Sequence, residues 1–256
     1  MRVLITGAAS GLGAALTRAL RARGDEVLAT DLVSTGSTDG GDVDLVLDVT
    51  SDEDWALARE QVLTQWGGLD LLVNNAGVAG GGRLDVATIE EWRWITEINL
   101  FGVVRGTRTF VPMFKEQRSG HIVNVASLAG LVHPAGMASY NAVKAAVVAL
   151  TETTGHELAA YGVKASVVCP SYFRTNLLAS MQGADTVVAG VVQHLVESAK
   201  FTAEDIAASV IAGIDRGEEL IVPDYVAQSA YQQKRDHRET YDALMRAQAA
   251  KLDRLA

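Results

Sequence analysis

Short apolar runs recur along the chain, and each is followed by a stretch with helical spacing of its apolar positions. Residues 2–6 (RVLIT) predict a buried strand, and an alanine- and leucine-rich helix follows to about Arg23. Further strands are predicted over 26–31, 45–48, 69–73, 121–126 and 164–168, with a short seventh over 219–222. Helices are predicted from Ser51, a capping serine with acidic residues in the first turn after it, through Trp66, and over 89–115, 138–160 and 205–216. Pro112 falls near the last turns of the 89–115 helix. Residues 33–42, rich in Gly, Ser, Thr and Asp, predict a loop. The strands are apolar throughout and alternate with helices, which predicts an α/β fold with a parallel sheet covered on both faces. There is no internal repeat and no linker, so residues 1–256 are expected to form one domain. Residues from about 225 to 256 are polar and helix-prone and predict an appended C-terminal helical segment, packed on its own subunit or on a neighbour.

Charge and composition narrow the function. The chain carries 22 Lys and Arg against 31 Asp and Glu, a net charge of −9 without a basic stripe, and this argues against nucleic-acid binding. One cysteine, Cys169, excludes an internal disulfide, and the five histidines lack the paired spacing of a zinc site, so no metal is expected. No apolar run reaches membrane-spanning length and the N-terminus lacks a signal-peptide core, so the expected location is cytoplasmic.

The chemistry starts at Tyr140 and Lys144. Four residues apart on a helix, they share a face, where the ammonium favours phenolate and draws the tyrosine pKa down from about 10. Ser127 lies thirteen residues upstream, after a strand. Between the first strand and first helix, residues 6–13 read TGAASGLG. Gly7, Gly11 and Gly13 there, with Ser10 and Leu12, permit a tight turn and let a pyrophosphate reach a helix N-terminus. Asp31 ends the second strand, where its carboxylate can accept from an adenosine ribose and repel a 2′-phosphate. Neither Leu32 nor Ser10 offers the cation that NADP needs, so the expected cofactor is NAD. Asp48 and Val49 close the third strand, with a side chain and an amide for the adenine; a turn carboxylate is the other reading of Asp48.

With these motifs in this order, the chain resembles the short-chain dehydrogenase/reductase family over about residues 2–223. The resemblance rests on residues 6–13, Asp48-Val49, NNAG at 74–77, Ser127 and YNAVK at 140–144, with Asn99 in the long helix. It implies a Rossmann-type, doubly wound, seven-stranded parallel sheet and a hydride-transfer enzyme interconverting secondary alcohols and ketones. It implies Tyr140 as general acid/base, and Lys144 as the group that tunes it and bonds the nicotinamide ribose. Ser127 would hold the substrate oxygen and Asn99 a relay water. Asn75, Ala76 and Gly77 would line the cofactor cleft, with Pro170 also at the cofactor and Thr175 touching the nicotinamide carboxamide or a phosphate. Two departures stand out: Pro170-Ser171 replaces the family's usual Pro-Gly, and the 33–42 loop stands where many relatives carry a helix.

The substrate is expected to be a small hydrophobic alcohol or ketone. Residues 128–137, 78–82 and 172–200 are the candidate pocket walls. The last of these, with Leu177, Leu178, Met181, Val187, Val188, Val191, Val192 and Leu195, has the spacing of an amphipathic lid. Arg174 could meet a substrate carboxylate or serve a structural or cofactor-side role; His133 could be a pocket group or a loop residue. Small residues at Ala142, Ala145, Ala146 and Ala149 suit close packing of the long helix, within the subunit or in a homo-oligomer (dimer or tetramer). An NAD-using epimerase or lyase would need a larger substrate domain than this length allows. A non-catalytic NAD-binding sensor is the remaining alternative, and the persistence of Ser127, Tyr140 and Lys144 speaks against it.

Overall fold

The computed structural model describes residues 1–33, 42–175 and 181–255. Most of the expected 33–42 loop, and Leu177 and Leu178 of the expected lid, lie outside the described residues. Seven parallel strands form one sheet: β1 (Arg2–Thr6), β2 (Glu26–Asp31), β3 (Leu45–Val46), β4 (Leu71–Asn74), β5 (Gly120–Val125), β6 (Val163–Val168) and β7 (Leu220–Ile221). Their order is β3-β2-β1-β4-β5-β6-β7, with Val3 opposite Val27 on one side and Leu71 on the other. The expected third strand is shorter than predicted, pairing only Leu45 and Val46 with the end of β2.

Helices cover both faces, as fully apolar strands require. On one side α1 (Gly11–Ala22) and α8 (Ala203–Arg216) bury Leu12, Leu16, Ile206 and Val210 against Val3, Ile5 and Val73. On the other, α2 (Asp52–Trp66) and α4 (Gly102–Gln117) bury Trp55, Phe110 and Phe114 against Leu4, Leu28 and Leu72. Gly106 lets α4 approach α2, because a Cβ there would come within 2.6 Å of the Trp55 ring. The Ser51 cap is as predicted, its side chain accepting from the Asp54 amide at 3.1 Å. A buried polar ladder stitches the two central strands to α6 (Ala138–Leu158): Asn74 donates to Asn124 at 2.8 Å, and Asn124 to Thr151 at 2.9 Å.

The long helix predicted over 89–115 is instead three pieces. Helix α3 (Ile89–Thr96), closed by a Thr88/Glu91 capping box, passes through a π-helical turn at Glu97–Phe101 into α4. Helical periodicity does not register one inserted residue, and π turns concentrate at functional sites. The sequence pattern does not delimit α5 (Ala129–Val132) or α7 (Thr186–Glu197), nor the division of the C-terminal segment into α9 (Tyr225–Asp236) and α10 (Arg238–Leu255). No helix among the described residues is long and apolar enough to cross a membrane.

The C-terminal pair packs on its own subunit. Lys234 donates to the Leu131 carbonyl at 2.7 Å, and the Tyr241 hydroxyl to the Val132 carbonyl at 2.8 Å. Leu252 enters a cluster with Met137, Val188, Val192 and Val196, joining α10 to α7. The C-terminal ends of the strands, the side on which open α/β sheets bind ligands, therefore lie beneath α7, α9 and α10.

Candidate active site

One cleft of about 1190 Å³ runs along that side of the sheet. It is larger than the range of roughly 300–1,000 Å³ usual for a single small-molecule site. At its centre, the first turns of α6 bring Tyr140 and Lys144 to the wall and the end of β5 brings Ser127. Lys144 is buried, and its ammonium donates to the Val125 carbonyl at 3.0 Å while standing 5.8 Å from the Tyr140 ring centroid. Burial pulls Lys144 down to about 8. For Tyr140, burial pushes the pKa up, and the hydrogen bond with Ser127 opposes that without overturning it. The expected lowering of Tyr140 by its lysine is thus not the net effect in the protein alone, because desolvation of the phenolate outweighs the one opposing contribution, the Ser127 hydrogen bond. Ser127 also accepts from the Ala129 amide at 3.2 Å, which fixes it at the start of α5.

Asn99 is fully buried behind this group, on the π turn. Its side-chain oxygen accepts from the Val78 amide at 2.8 Å and its nitrogen donates to the Val78 carbonyl at 3.0 Å. One bond at each end of the amide fixes its orientation and leaves a second donor and a second acceptor free for a water. Gly77 sits where the three meet: a Cβ there would lie 2.9 Å from Asn99 Oδ1 and 3.7 Å from Lys144 Nζ.

Gly7 and Gly11 both have left-handed backbone, with φ of 68° and 53°. A Cβ on Gly7 would meet Ala76 Cα at 2.8 Å, and one on Gly11 would meet Thr175 Oγ1 at 2.6 Å. The glycines thus leave a groove between the N-terminus of α1, the NNAG turn and Thr175. Asn75 closes its floor by donating to the Thr6 carbonyl at 2.8 Å. Asp31 stands at the rim, accepting from the Ala9 amide at 2.9 Å and the Leu32 amide at 2.7 Å, which keeps its carboxylate turned to the cleft. Asp48 lines the same cleft, but one oxygen already accepts from the Thr50 amide and hydroxyl, both at 2.8 Å. A groove with small residues at the turn, amides at a helix N-terminus and a carboxylate at the far rim fits a dinucleotide.

The structure brings together Gly7, Ser10, Gly11, Leu12, Asp31, Leu32, Asp48, Val49, Asn75, Ala76, Gly77, Ser127, Tyr140, Lys144, Pro170 and Thr175 around this one cleft. Gly13 and Asn99 stand behind its wall. Arg174 is exposed and outside the cleft's lining, and His133 is exposed, tied through Nδ1 to Lys234 at 2.7 Å. Ser171 needs no left-handed backbone; it bonds Asp224, its hydroxyl at 2.7 Å and its amide at 2.9 Å. Buried Asp224 also caps α9 by accepting from the Ala227 amide at 2.8 Å. The departure from Pro-Gly is therefore a tie between the loop after β6 and the C-terminal helices.

The half of the cleft away from the glycine turn holds residues that sequence reasoning did not reach. Tyr241, Leu244 and Met245 of α10 and Gln233 of α9 form its roof, facing Trp94 and Val196. No local pattern marks them, since a roof depends on where a polar helix lands. The lid helix α7 is held at its N-terminus by an ion pair: Arg83 Nε donates to Asp185 Oδ2 at 2.8 Å, and Asp185 caps the helix at the Val188 amide. Burial alone would raise the Asp185 carboxyl; Arg83 and the two amides it accepts from hold it at about 2. Cys169, buried nearby, is pushed up to about 12 and stays a thiol at neutral pH.

The sequence profile of the short chain dehydrogenases matches residues 1–185. The chain is 33% identical over 180 residues to 3-oxoacyl-[acyl-carrier-protein] reductase of Vibrio cholerae, covering 68% of this chain and 74% of the relative. It is 36% identical over 196 residues to trans-4-hydroxycyclohexanecarboxylate dehydrogenase of Sinomonas cyclohexanicum, covering 70% and 74%. A short chain dehydrogenase/reductase from Burkholderia phymatum in complex with NAD superposes with a TM-score of 0.83 at 28% identity, over 93% of this chain and 94% of the other. One from Burkholderia cenocepacia in complex with NADP gives 0.79 at 28% identity, over 95% and 96%. The chain belongs to the short-chain dehydrogenase/reductase family, and its Rossmann-type sheet is that of the family's solved structures.

Proposed function

We propose that this short-chain dehydrogenase/reductase is an NAD-dependent oxidoreductase that interconverts a secondary alcohol and a ketone, with Tyr140 as its general acid and base. The observation that carries the coenzyme choice is Asp31. Its carboxylate faces the cleft at the end of β2, where a ribose hydroxyl can donate to it and a 2′-phosphate would be repelled. Residues 32–42 contain neither Arg nor Lys, so nothing in that stretch can offset the repulsion. Gly7, Ser10, Gly11, Leu12 and Gly13 would hold the pyrophosphate end; Asp48, Val49, Asn75, Ala76, Gly77, Pro170 and Thr175 would bound the rest. When bound, NAD would accept or supply the hydride.

The remaining work falls to side chains. Ser127 donates to the substrate oxygen as negative charge grows there. In reduction Tyr140 gives its proton to that oxygen; in oxidation it takes the proton from the alcohol. A phenol whose pKa is raised by burial is protonated at neutral pH, the state that reduction uses. Lys144 spends one donor on Val125 and has others for a ribose hydroxyl and the phenol. Asn99 would hold the water that passes protons onward from Lys144. The apolar roof and lid suit a hydrophobic substrate, and the ring alcohol named for the Sinomonas relative is the substrate class we adopt. We extend the reading to a homo-oligomer packed through α6, on which Ala142 and Ala149 are exposed.

The test is a panel of secondary alcohols and ketones with NADH and NADPH, wild type beside Tyr140→Phe and Asp31→Arg. Tyr140→Phe should lose at least about a hundredfold in turnover, the usual share of a proton-transfer group, and Asp31→Arg should move preference towards NADPH. Undiminished turnover in the Phe variant, or an initial NADPH preference, would refute the corresponding part. NADH binding without turnover of any substrate would favour a sensor.

A further inference from the structure

Tyr172 follows Ser171 on the loop after β6 and enters the substrate half of the cleft. Its ring packs, as that of Tyr140 does, against the cluster of Met137 and the α7 valines. Its hydroxyl donates to the Met137 sulfur at 3.4 Å, and no other hydrogen bond reaches it among the described residues. A thioether is a weak acceptor, and hydroxyls enclosed by protein normally find a better one. Much of the lining of this part of the cleft is apolar, with Val192, Val196, Leu244 and Met245, and the Tyr241 hydroxyl is committed to Val132. Ser171 beside it is fastened by two hydrogen bonds to Asp224, which anchors the backbone from which the ring projects. Tyr172 is therefore a donor whose protein acceptor among the described residues is a thioether, in a largely apolar part of the cleft that also holds the Tyr140 phenol. Burial, with Tyr140 nearby, pushes its pKa up to about 12, so it remains a donor throughout the working pH range.

We propose that Tyr172 is a substrate-binding residue that donates a hydrogen bond to a second oxygen of the substrate, so that the enzyme selects apolar ring alcohols and ketones bearing two oxygen functions. The inference rests on the hydride-transfer reading above: one oxygen meets Ser127 and Tyr140, and the other meets Tyr172. Gln233 is the other half-buried polar side chain of the roof without a side-chain partner among the described residues, and it serves as the competing donor in the test.

The experiment uses the full chain with NADH and compares cyclohexanone with its 3-hydroxy and 4-hydroxy derivatives, in wild type, Tyr172→Phe and Gln233→Leu. The wild type should prefer at least one hydroxyketone in kcat/KM. Tyr172→Phe should reduce that preference about three- to tenfold, the worth of one neutral hydrogen bond, mainly through KM. An equal loss on all three ketones would make Tyr172 a wall and overturn the proposal, as would a preference that survives in Tyr172→Phe or disappears only in Gln233→Leu. Wild type that reduces open-chain ketones through Tyr140 but shows no preference among the ring ketones would sink this inference alone. Absence of all turnover would sink the hydride-transfer reading with it.

Discussion

Lys144 carries a cost that pH should reveal. Its ammonium is buried with one carbonyl partner, and burial brings its pKa from 10.5 to about 8. Between those values the native state binds fewer protons than the unfolded chain, so stability rises with pH there and is lowest below about 8. Lys144→Met should remove this dependence. From urea melts at pH 7.5 and 10, wild type should gain about 2–3 kcal/mol relative to the variant; parallel behaviour of the two proteins would mean that the lysine is not desolvated as the structure has it. The same burial raises Tyr140, so its phenol is neutral at neutral pH.

Among the elements, the loop after β6 decides how the site is closed. Ser171 joins it to the cap of α9 through Asp224, a buried carboxylate. Ser171→Gly removes the 2.7 Å hydroxyl bond and keeps the 2.9 Å amide bond, so the expected loss is about 1.5–3 kcal/mol, the range for hydrogen bonds to a charged group. Hydrogen exchange should register it as faster opening of α9 while β1 and β4 keep their protection; unchanged exchange in α9 would show that the tie is dispensable. This tie also marks where sequence reasoning stops. Strands β1, β2, β5 and β6 were legible because burial on both faces leaves continuous apolar runs, and the glycine turn and the Tyr140–Lys144 spacing were legible because their chemistry is local. The π turn that carries Asn99 was not, since one extra residue leaves the apolar spacing almost intact. The roof was not, because a polar amphipathic segment does not say which groove receives it. Spacing also gave the neighbour of Tyr140 but not its burial, and burial sets the sign of its shift.

At the scale of the whole molecule, the cleft divides along the sheet. The half proposed for the coenzyme is built by β1, β2, β4 and the turns after them, and the half proposed for the substrate is closed by α7 and α10. Leu252 lies on the joint between those two helices. It is 4% exposed, packs in the cluster of Met137, Val188, Val192 and Val196, and stands where a Cβ on Gly136 would come within 2.6 Å of its Cδ1. It touches none of the glycine turn or the Asp31 rim. Leu252→Ala opens a cavity in that cluster at a cost of about 2–5 kcal/mol, which falls on the seating of α10 rather than on the sheet. The KM for a ring ketone should therefore rise several-fold while the affinity for NADH, read by fluorescence titration, stays within about twofold. The asymmetry follows from the division of the cleft, because loosening the roof enlarges the substrate chamber and leaves the turn, the NNAG floor and the carboxylate in place. Equal weakening of NADH and ketone would show that the two halves move as one body and that the C-terminal helices support the coenzyme site as well as the substrate's.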